Sequence, residues 1–322
     1  MKIKQLLLFI LFPFILFSQT QVGSDIDGEA FNDESAHSVS ISSDGSVVAI
    51  GAPGNDGNGT DSGHVRIYQN ISGVWTQIGS DIDGEASGDG SGSSVSLNSD
   101  GSIVAIGAPG NDGNGSNSGN VRIYQNISGV WTQIGSDIDG EASGDLSGRS
   151  VSLSSNGSIV AIGAERNDGN GSFSGHVRIY QNISGVWTQI GSDIDGEASG
   201  DQSGFSVSLS SDGSFVAIGA PFNNGNGDRS GHVRVYDLNA VLSNDDFVLS
   251  QFNLYPNPIN NQFIIQLNQG LLLEKVNIYN NLGQFVHSTD KTTINVSGLS
   301  QGVYFVKIIT DKGEASKRII IK

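Results

Sequence analysis

Short runs of alternating apolar and polar residues recur along the chain between turns rich in Gly, Asn and Asp. In one stretch, residues 94–97 alternate, residues 103–106 are apolar at consecutive positions, and residues 121–124 and 130–134 complete the set. Period-two alternation between tight turns predicts an antiparallel sheet of four strands. The uninterrupted apolar run predicts a second strand that is covered on both faces.

This pattern occurs four times with a period of 56 residues. The octapeptide Gly-Ser-Asp-Ile-Asp-Gly-Glu-Ala begins at Gly23, Gly79, Gly135 and Gly191. One tryptophan occupies a fixed repeat position, at Trp75, Trp131 and Trp187. A four-stranded sheet of this size cannot cover its own faces and must stack on its neighbours, with the tryptophans packed between sheets. The sequence therefore predicts an all-β fold, a four-bladed β-propeller built from four 56-residue repeats.

The two ends of the repeat region complement each other. Residues 20–23 match the end of the fourth run at residues 76–79, whereas the last repeat stops after Tyr236 without a tryptophan-containing run. We therefore expect the N-terminal segment to supply the missing strand and close the ring, which would leave no exposed sheet edge. Pairing of two chains into one larger ring is the alternative.

The N-terminus has the features of a secretory signal peptide. Lys2 and Lys4 precede an apolar run over residues 6–17, and a polar segment follows it. The run is shorter than the roughly 20 residues that a membrane-spanning helix needs, and Pro13 interrupts it. We assign residues 1–19 to a cleaved signal peptide and expect no membrane span after cleavage.

Charge narrows the possible partners of the repeat region. Residues 21–250 carry 29 acidic and 7 basic residues, a net charge of −22, within a chain of net charge −17. Such a surface repels nucleic acid and anionic membranes, so neither is expected as a partner. The chain has no cysteine, which excludes disulfides and thiol chemistry.

The composition changes after the repeats. Lysine, absent between Lys4 and Lys275, returns, and several short strand-like runs follow one another up to the C-terminus. These features predict a linker over residues 238–246 and a small Ig-like β-sandwich over residues 247–322.

The repeats resemble a known family. Ser94-Val95-Ser96-Leu97, residues 104–109 (Val-Ala-Ile-Gly-Ala-Pro), residues 119–124 (Gly-Asn-Val-Arg-Ile-Tyr) and Trp131 are similar in order and spacing to FG-GAP repeats. Those repeats form the blades of integrin-α-like propellers, and the resemblance covers about residues 20–237. It implies the propeller fold and calcium ions held in blade loops.

The C-terminal region resembles a type IX secretion system type A sorting domain. The similarity rests on Tyr255, Pro256, Asn257 and Pro258, on Gly302 with Tyr304, and on the basic and apolar run that ends the chain. It implies that the type IX secretion machinery recognises this domain and moves the protein across the outer membrane. The protein would then be released or attached to the cell surface.

Calcium is the main candidate cofactor. Carboxylates at alternate positions beside a glycine turn can converge on one hard cation, although acids that merely form turns explain them more simply. The candidate ligands are Asp25, Asp27, Glu29, Asp33, Asp81, Asp83, Glu85, Asp89, Asp137, Asp139, Glu141, Asp145, Asp193, Asp195, Glu197 and Asp201. Loops beginning at Asn55, Asn111, Asn167 and Asn223 are also oxygen-rich, but ordinary turns account for them.

Histidines and repeat-breaking residues offer little catalytic chemistry. The histidines that share one repeat position are predicted to be structural residues at strand edges, on separate sheets. The residues that break the repeat, such as Arg149 and Phe205, form no acid–base or nucleophile set. We therefore expect a secreted or surface-displayed, non-enzymatic binding or adhesion protein with a glycan or protein ligand. An extracellular hydrolase-like enzyme and a purely structural matrix component are the alternatives.

Overall fold

A computed structural model describes residues 19–242, 252–267, 272–281, 283–310 and 313–322. The described chain is all-β apart from one helical turn, α1 (Asn239–Leu242). Most of the predicted signal peptide, and the boundary between the predicted linker and the C-terminal domain, lie outside the described residues. Within the described ranges, no helix is long and apolar enough to cross a membrane.

Each of the first three repeats forms an antiparallel sheet in which four strands are adjacent in sequence order. The first sheet contains β1 (Ser38–Ile41), β2 (Val47–Ala52), β3 (His64–Ile71), β4 (Val74–Gln77) and β5 (Ile82–Asp83). The second contains β6 (Ser94–Leu97), β7 (Ile103–Ala108), β8 (Asn120–Ile127), β9 (Val130–Gln133) and β10 (Ile138–Asp139). The third contains β11 (Ser150–Leu153), β12 (Ile159–Ala164), β13 (His176–Ile183), β14 (Val186–Gln189) and β15 (Ile194–Asp195). The fourth has only β16 (Ser206–Leu209), β17 (Phe215–Ala220) and β18 (His232–Asp237).

The strands form at the runs in which apolar and polar residues alternate, as predicted, and a short extra strand joins each complete sheet. In the first repeat, the two-residue turn at Ser72 and Gly73 has positive φ at both positions, 54° and 88°, as the twist of a tight hairpin requires. The extra strand β5 pairs with the start of β3, placing Asp83 opposite His64. An acidic segment thereby becomes part of the sheet.

Neighbouring sheets pack through their first strands. Ser40 Oγ on β1 accepts a hydrogen bond of 2.9 Å from the backbone N–H of Leu97 on β6. Val65 and Ile67 on β3 pack with Val95 and Leu97 in one buried cluster, and equivalent clusters lie at the next two junctions. Packing of each sheet on the next buries apolar faces that a single sheet would leave exposed.

The predicted closure of the ring by an N-terminal strand is wrong. Residues 20–23 form no strand, and the sheet of the fourth repeat has three strands. The carbonyl of Val22 instead accepts a hydrogen bond of 2.8 Å from Trp75 Nε1, as the carbonyls of Ile78 and Ile134 do from the tryptophans of the next two repeats. Residues 20–23 therefore resemble residues 76–79 because both segments accept a hydrogen bond from a tryptophan of the hairpin that follows them, and not because they pair with the same strand.

The row of four sheets consequently has two uncovered ends. Val39 and Ile41 on β1 are 62% and 60% exposed, and Val233 and Val235 on β18 are 67% and 66% exposed. In the inner sheets the equivalent side chains are buried. At the C-terminal end, Val241 of α1 packs near Gly191, where the earlier repeats place a tryptophan.

The C-terminal domain contains two antiparallel sheets that share one core. Its strands are β19 (Phe252–Tyr255), β20 (Gln262–Leu267), β21 (Leu273–Asn280), β22 (Phe285–Thr289), β23 (Thr293–Asn295), β24 (Gly302–Thr310) and β25 (Gly313–Ile321). The strand orders are β19-β20-β23 and β22-β21-β24-β25. Phe252 and Phe263 from the first sheet are buried with Val276, Ile278 and Val306 from the second. The domain is therefore a small sandwich, and its Ig-like character stays a prediction.

Candidate functional site

The acidic segments, defined as residues 23–33, 79–89, 135–145 and 191–201, divide their carboxylates among different partners. The first aspartate of each segment accepts a hydrogen bond from a nearby glutamine side chain, as in Gln77 to Asp81 at 2.6 Å. The same contact is made by Gln21 with Asp25, Gln133 with Asp137 and Gln189 with Asp193. This contact fixes the start of the segment beside the end of the preceding hairpin.

The last aspartate of each segment is buried and organises two loops. Asp145 accepts hydrogen bonds from the backbone N–H of Ala142 at 3.1 Å and from Asn167 Nδ2 at 3.0 Å. The equivalent carboxylates are Asp33, Asp89 and Asp201, which make the same pair of bonds. The candidate oxygen-rich loop beginning at each asparagine is thus tied to the acidic segment by an amide donor.

The second aspartate contributes its main chain. The carbonyl of Asp139 accepts a hydrogen bond of 2.7 Å from Arg178 Nη2, and the carbonyls of Asp27, Asp83 and Asp195 accept the equivalent bond. Burial, and then the charge of Asp137, raise the pKa of the Asp139 carboxyl above its ordinary value. The arginine of each third strand therefore clamps the backbone of the acidic segment.

The glutamate of the segment faces a histidine and an arginine on the third strand. Glu141 Oε1 lies 3.8 Å from Arg178 Nη1, and Glu141 Oε2 lies 3.7 Å from His176 Nδ1. Burial and the nearby Arg178 charge lower the pKa of His176. The same arrangement surrounds Glu29, and Glu197 repeats its contacts with histidine and arginine.

The four acids of a segment therefore do not form a single four-carboxylate cage. Two of them are engaged by amide donors, one offers its main chain, and the glutamate turns toward the third strand. Calcium at the sixteen positions stays a prediction.

The sequence reasoning missed the histidines as part of this arrangement. The signal for them was the constant spacing of 35 residues between each glutamate and the residue at the histidine position.

A groove lies beside each acidic segment, and we call these the repeat grooves. One is lined by residues 79–83, Tyr124 and residues 129–131, with a volume of about 330 Å³. Its equivalents have volumes of about 280 Å³ at Trp187 and about 260 Å³ at Trp75. The fourth, of about 340 Å³, is lined by Tyr236 and Val241 and lacks a tryptophan. Each groove thus combines aromatic or apolar walls with two aspartates.

The groove walls are held in fixed positions. Trp131 Nε1 donates to the carbonyl of Ile78 at 2.8 Å, so its half-buried ring stands against the preceding repeat. Burial raises the pKa of Tyr124 and of the equivalent Tyr68 and Tyr180. An aromatic face beside carboxylate acceptors can bind a ligand that has an apolar face and several hydroxyl donors.

The sorting-motif residues join the beginning of the C-terminal domain to its end. Asn257 Nδ2 donates to the carbonyl of Arg318 at 3.1 Å, and Asn257 Oδ1 accepts from the backbone N–H of Ile320 at 2.9 Å. Asn257 lies between Pro256 and Pro258, which both follow cis peptide bonds, and Tyr255 is 45% exposed. Near the start of β24, which begins at Gly302, the hydroxyl of Tyr304 donates to the carbonyl of Ser300 at 3.0 Å.

Comparison with known proteins identifies the C-terminal domain. Residues 253–322 match the family described as the secretion system C-terminal sorting domain. No family model matches the repeat region as FG-GAP, so that resemblance stays a prediction. No curated protein matches the chain.

Solved structures show weak similarity. A protein assigned as a 6-phosphogluconolactonase from Bacteroides uniformis has a TM-score of 0.44 at 13% identity, over 62% of this chain and 50% of its own. Hydrazine synthase of Kuenenia stuttgartiensis has a TM-score of 0.43 at 12% identity, over 92% and 70%. Sqt1 of Saccharomyces cerevisiae has a TM-score of 0.37 at 13% identity, over 90% and 96%. The chain spans half the length of the first of these, and none identifies an activity for it.

The C-terminal match does establish where the protein acts. Its sorting domain is the kind that the type IX secretion machinery recognises. The protein is therefore exported by type IX secretion and is secreted or attached to the outer cell surface.

Proposed function

We propose that this protein is a non-enzymatic binding protein, displayed on or released from the cell surface, whose repeat grooves bind an extracellular glycan. The observation that carries the proposal is the recurrence of one groove per repeat, with paired aspartates in all four and a tryptophan in three. In this proposal the four sheets are blades of the propeller type that the FG-GAP resemblance implies.

The chemistry of a groove suits a sugar ring. One face of a sugar is apolar and packs against an aromatic ring, while its hydroxyls donate hydrogen bonds to carboxylates. Because the region around the grooves is strongly acidic, a neutral polysaccharide is favoured over an anionic one. A polymer that spans several weak grooves also gains avidity.

Repeat-specific residues would add selectivity. The Arg149 guanidinium lies 5.2 Å from the ring centre of Phe205 and its Nε lies 3.6 Å from Glu165 Oε1. Arg229 is placed similarly over Phe222, at 5.1 Å. These pairs distinguish otherwise similar repeats, and cation–π contacts hold their side chains in place. They support a binding surface with a few individual contacts.

Substitution of the groove tryptophans tests this function. We expect the triple variant Trp75→Ala, Trp131→Ala and Trp187→Ala to bind neutral polysaccharides at least about tenfold more weakly, a loss of about 1.4 kcal/mol. Affinity electrophoresis or calorimetry with laminarin, xylan and galactomannan measures this, with alginate as the anionic control. The corresponding Trp→Phe variants keep the aromatic face and should retain most of the affinity.

Two results would contradict the proposal. One is the absence of binding to every neutral polysaccharide of that panel. The other is binding that the three Trp→Ala substitutions leave unchanged while circular dichroism shows the fold intact. Hydrolysis of a polysaccharide by the wild-type protein would instead favour an enzyme.

A further inference from the structure

Two junctions between repeats bring a histidine between two carboxylates from different acidic segments. At the first junction, the ligand atoms of Glu29, His64 and Asp81 all lie within 4.8 Å of one another. His64 Nδ1 is 3.9 Å from both Glu29 Oε2 and Asp81 Oδ2. At the third junction, Glu141, His176 and Asp193 form the same cluster.

The surroundings of His176 independently indicate a bound ligand. It is 1% exposed, and neither of its ring nitrogens has a hydrogen-bond partner in the described structure. Its Nδ1 faces Glu141 Oε2 at 3.7 Å. A buried polar group without a partner is costly, and native structures normally provide one. A cation between the imidazole and the carboxylates would supply it.

We infer that these two clusters are binding sites for a divalent transition-metal cation with the preferences of Zn²⁺. One imidazole nitrogen and two carboxylate oxygens form a ligand set that zinc accepts, with a fourth position open to solvent. Metal–ligand distances of about 2.0–2.2 Å place tetrahedral ligand atoms about 3.3–3.6 Å apart. The histidine nitrogens lie 3.7–3.9 Å from Glu29, Asp81 and Glu141, and every other pair of ligand atoms within a cluster lies within 4.8 Å, so ion binding would draw the carboxylates inward by about 1 Å or less.

An arginine orients the glutamate at both sites without occupying the proposed ligand atom. Arg66 Nη1 lies 3.4 Å from Glu29 Oε1, and Arg178 Nη1 lies 3.8 Å from Glu141 Oε1. In both cases the other carboxylate oxygen, Oε2, faces the histidine. Contacts of this kind, one step away from the ion, fix the direction of a ligand.

The remaining two repeats provide internal controls. In the second repeat Asn120 replaces the histidine, and its Nδ2 donates to Glu85 Oε2 at 3.2 Å. An amide NH₂ group is a donor and cannot bind a cation. In the fourth repeat His232 Nδ1 lies 3.7 Å from Glu197 Oε2, but among the described residues no further acidic segment follows to provide the second carboxylate. The described part of the chain therefore forms two complete sites.

The number of Zn²⁺ ions bound per chain tests for these two sites directly. Untagged protein of residues 20–322, dialysed against Zn²⁺ and analysed for bound metal, is expected to hold two tightly bound ions. His64→Asn and His176→Asn should each remove one ion, and the double variant both. Asparagine occupies this position naturally at residue 120, so these variants should fold. Asn120→His should add a third ion, held with Glu85 and Asp137.

Failure of the inference would be evident from the same experiment. Unchanged stoichiometry in the folded double variant, or an absence of saturable Zn²⁺ binding by the wild type, would show that the histidines only form ion pairs. Calcium provides a separate control because it prefers oxygen ligands, so any calcium binding should be indifferent to the histidine substitutions. Polysaccharide binding that persists in the zinc-free double variant would separate this site from the proposed grooves.

A second and independent observation concerns the two ends of the row of sheets. The exposed Val233 and Val235 at the C-terminal end correspond to Val177 and Ile179, which are 0% and 2% exposed. The exposed Val39 and Ile41 at the N-terminal end correspond to Val95 and Leu97, which are 9% and 7% exposed. Burial of the inner residues arises because these two kinds of face pack on each other.

The uncovered ends are thus the two halves of an interface that the chain already forms three times. Each inner junction also contains a polar contact, such as the hydrogen bond that Leu209 N–H donates to Ser152 Oγ at the last junction. The uncovered ends keep both groups: Ile41 N–H is the equivalent donor at the N-terminal end, and Ser208 on β16 is the equivalent acceptor at the C-terminal end. A second copy of this chain therefore offers each end the partner that its inner equivalents have.

We propose that two copies of the chain associate head to tail through these ends, forming a ring of eight sheets. Such a contact is heterologous, because different faces of the two chains meet, and it closes when both ends of both chains are used. Eight sheets lie within the usual range of four to about eight for radially repeated folds. The dimer would cover all four exposed apolar side chains of each chain.

Complementation between two variants tests head-to-tail association. Light scattering on protein of residues 20–322 should give the mass of a dimer at about 100 µM, a concentration that detects dissociation constants of about 100 µM or tighter. Val39→Asp and Val235→Asp should each give monomers. An equimolar mixture of these two variants should form a dimer that is weaker than the wild type, because it restores one of the two junctions: each variant keeps the face that the other has lost.

Three results would overturn this proposal. They are a monomeric wild type at that concentration, a dimer that withstands both substitutions, and a mixture whose average mass does not exceed that of either variant alone. A dimer sensitive to one substitution alone would also contradict it, because that result indicates pairing of identical faces.

Discussion

Deletion of residues 252–322 is expected to leave the protein inside the cell envelope of a bacterium that carries the type IX system. Residues 253–322 match the sorting-domain family, and this domain supplies the signal for passage across the outer membrane. Its core is separate from those of the repeats, so the shortened protein should still fold. Immunoblots of medium, cell-surface and periplasmic fractions measure the effect, which should be a near-complete loss from the first two.

A reporter protein supplies the control for this deletion. A soluble reporter that carries a signal peptide and residues 252–322 should reach the cell surface or the medium, whereas one without the domain should remain periplasmic. A subtler variant, Asn257→Ala, removes the side-chain contacts with Arg318 and Ile320 and should reduce export with less effect on the core. Release of the deleted protein at the wild-type level would contradict the assignment.

Alanine at Gly163 should strongly destabilise the junction between the third and fourth repeats. A Cβ at this position would collide with the backbone carbonyl of Gly204 in the next sheet and disturb the hydrogen bond of 2.7 Å from Ser150 Oγ to that carbonyl. Overpacking against backbone that cannot move away typically costs about 1–3 kcal/mol. We expect Gly163→Ala to lower the free energy of unfolding, measured by denaturant titration, by about 2–3 kcal/mol.

Gly219 is the matched control for this substitution. It occupies the same position in the fourth sheet, where no further repeat follows and a Cβ would meet only Ser206 of its own sheet. The Ser206 hydroxyl can rotate, so Gly219→Ala should cost less than about 1 kcal/mol in dilute solution, where the chain is monomeric. Equal losses for the two variants would mean that the fourth sheet is covered within a single chain.

Most of the secondary structure could be predicted from the sequence because it depends on local chemistry. The alternation over residues 94–97 and the Ser-Gly turns between third and fourth strands define hairpins without reference to distant residues. The extra strand β5 was not predicted, because its two residues, Ile82 and Asp83, are too few to show a period.

Ring closure could not be inferred from the same evidence. The similarity of residues 20–23 to residues 76–79 is real, but a short match specifies the immediate neighbour of a segment and not its place in the whole assembly. Trp75 is that neighbour, and it binds the segment within the first repeat. Closure depends instead on how all four sheets pack on one another, which no single short segment specifies.

The histidine clusters show a similar limit. Treating equivalent histidines as residues on separate sheets was correct for His64 and His176, which belong to different clusters. Their partners, however, come from acidic segments that precede and follow each sheet, and β5 brings the later segment back beside the histidine. Sequence spacing alone did not show that pairing.

Thiol accessibility tests the uncovered ends of the repeat region most directly. The chain has no cysteine, so single variants report one position each. In dilute, monomeric protein, we predict that thiols introduced by Val39→Cys and Val235→Cys react at nearly the rate of a free thiol. Those introduced by Val95→Cys and Ile179→Cys should be protected about a hundredfold or more, because they react only after local opening. Equal protection of the terminal and inner positions under these conditions would contradict an open row of four sheets.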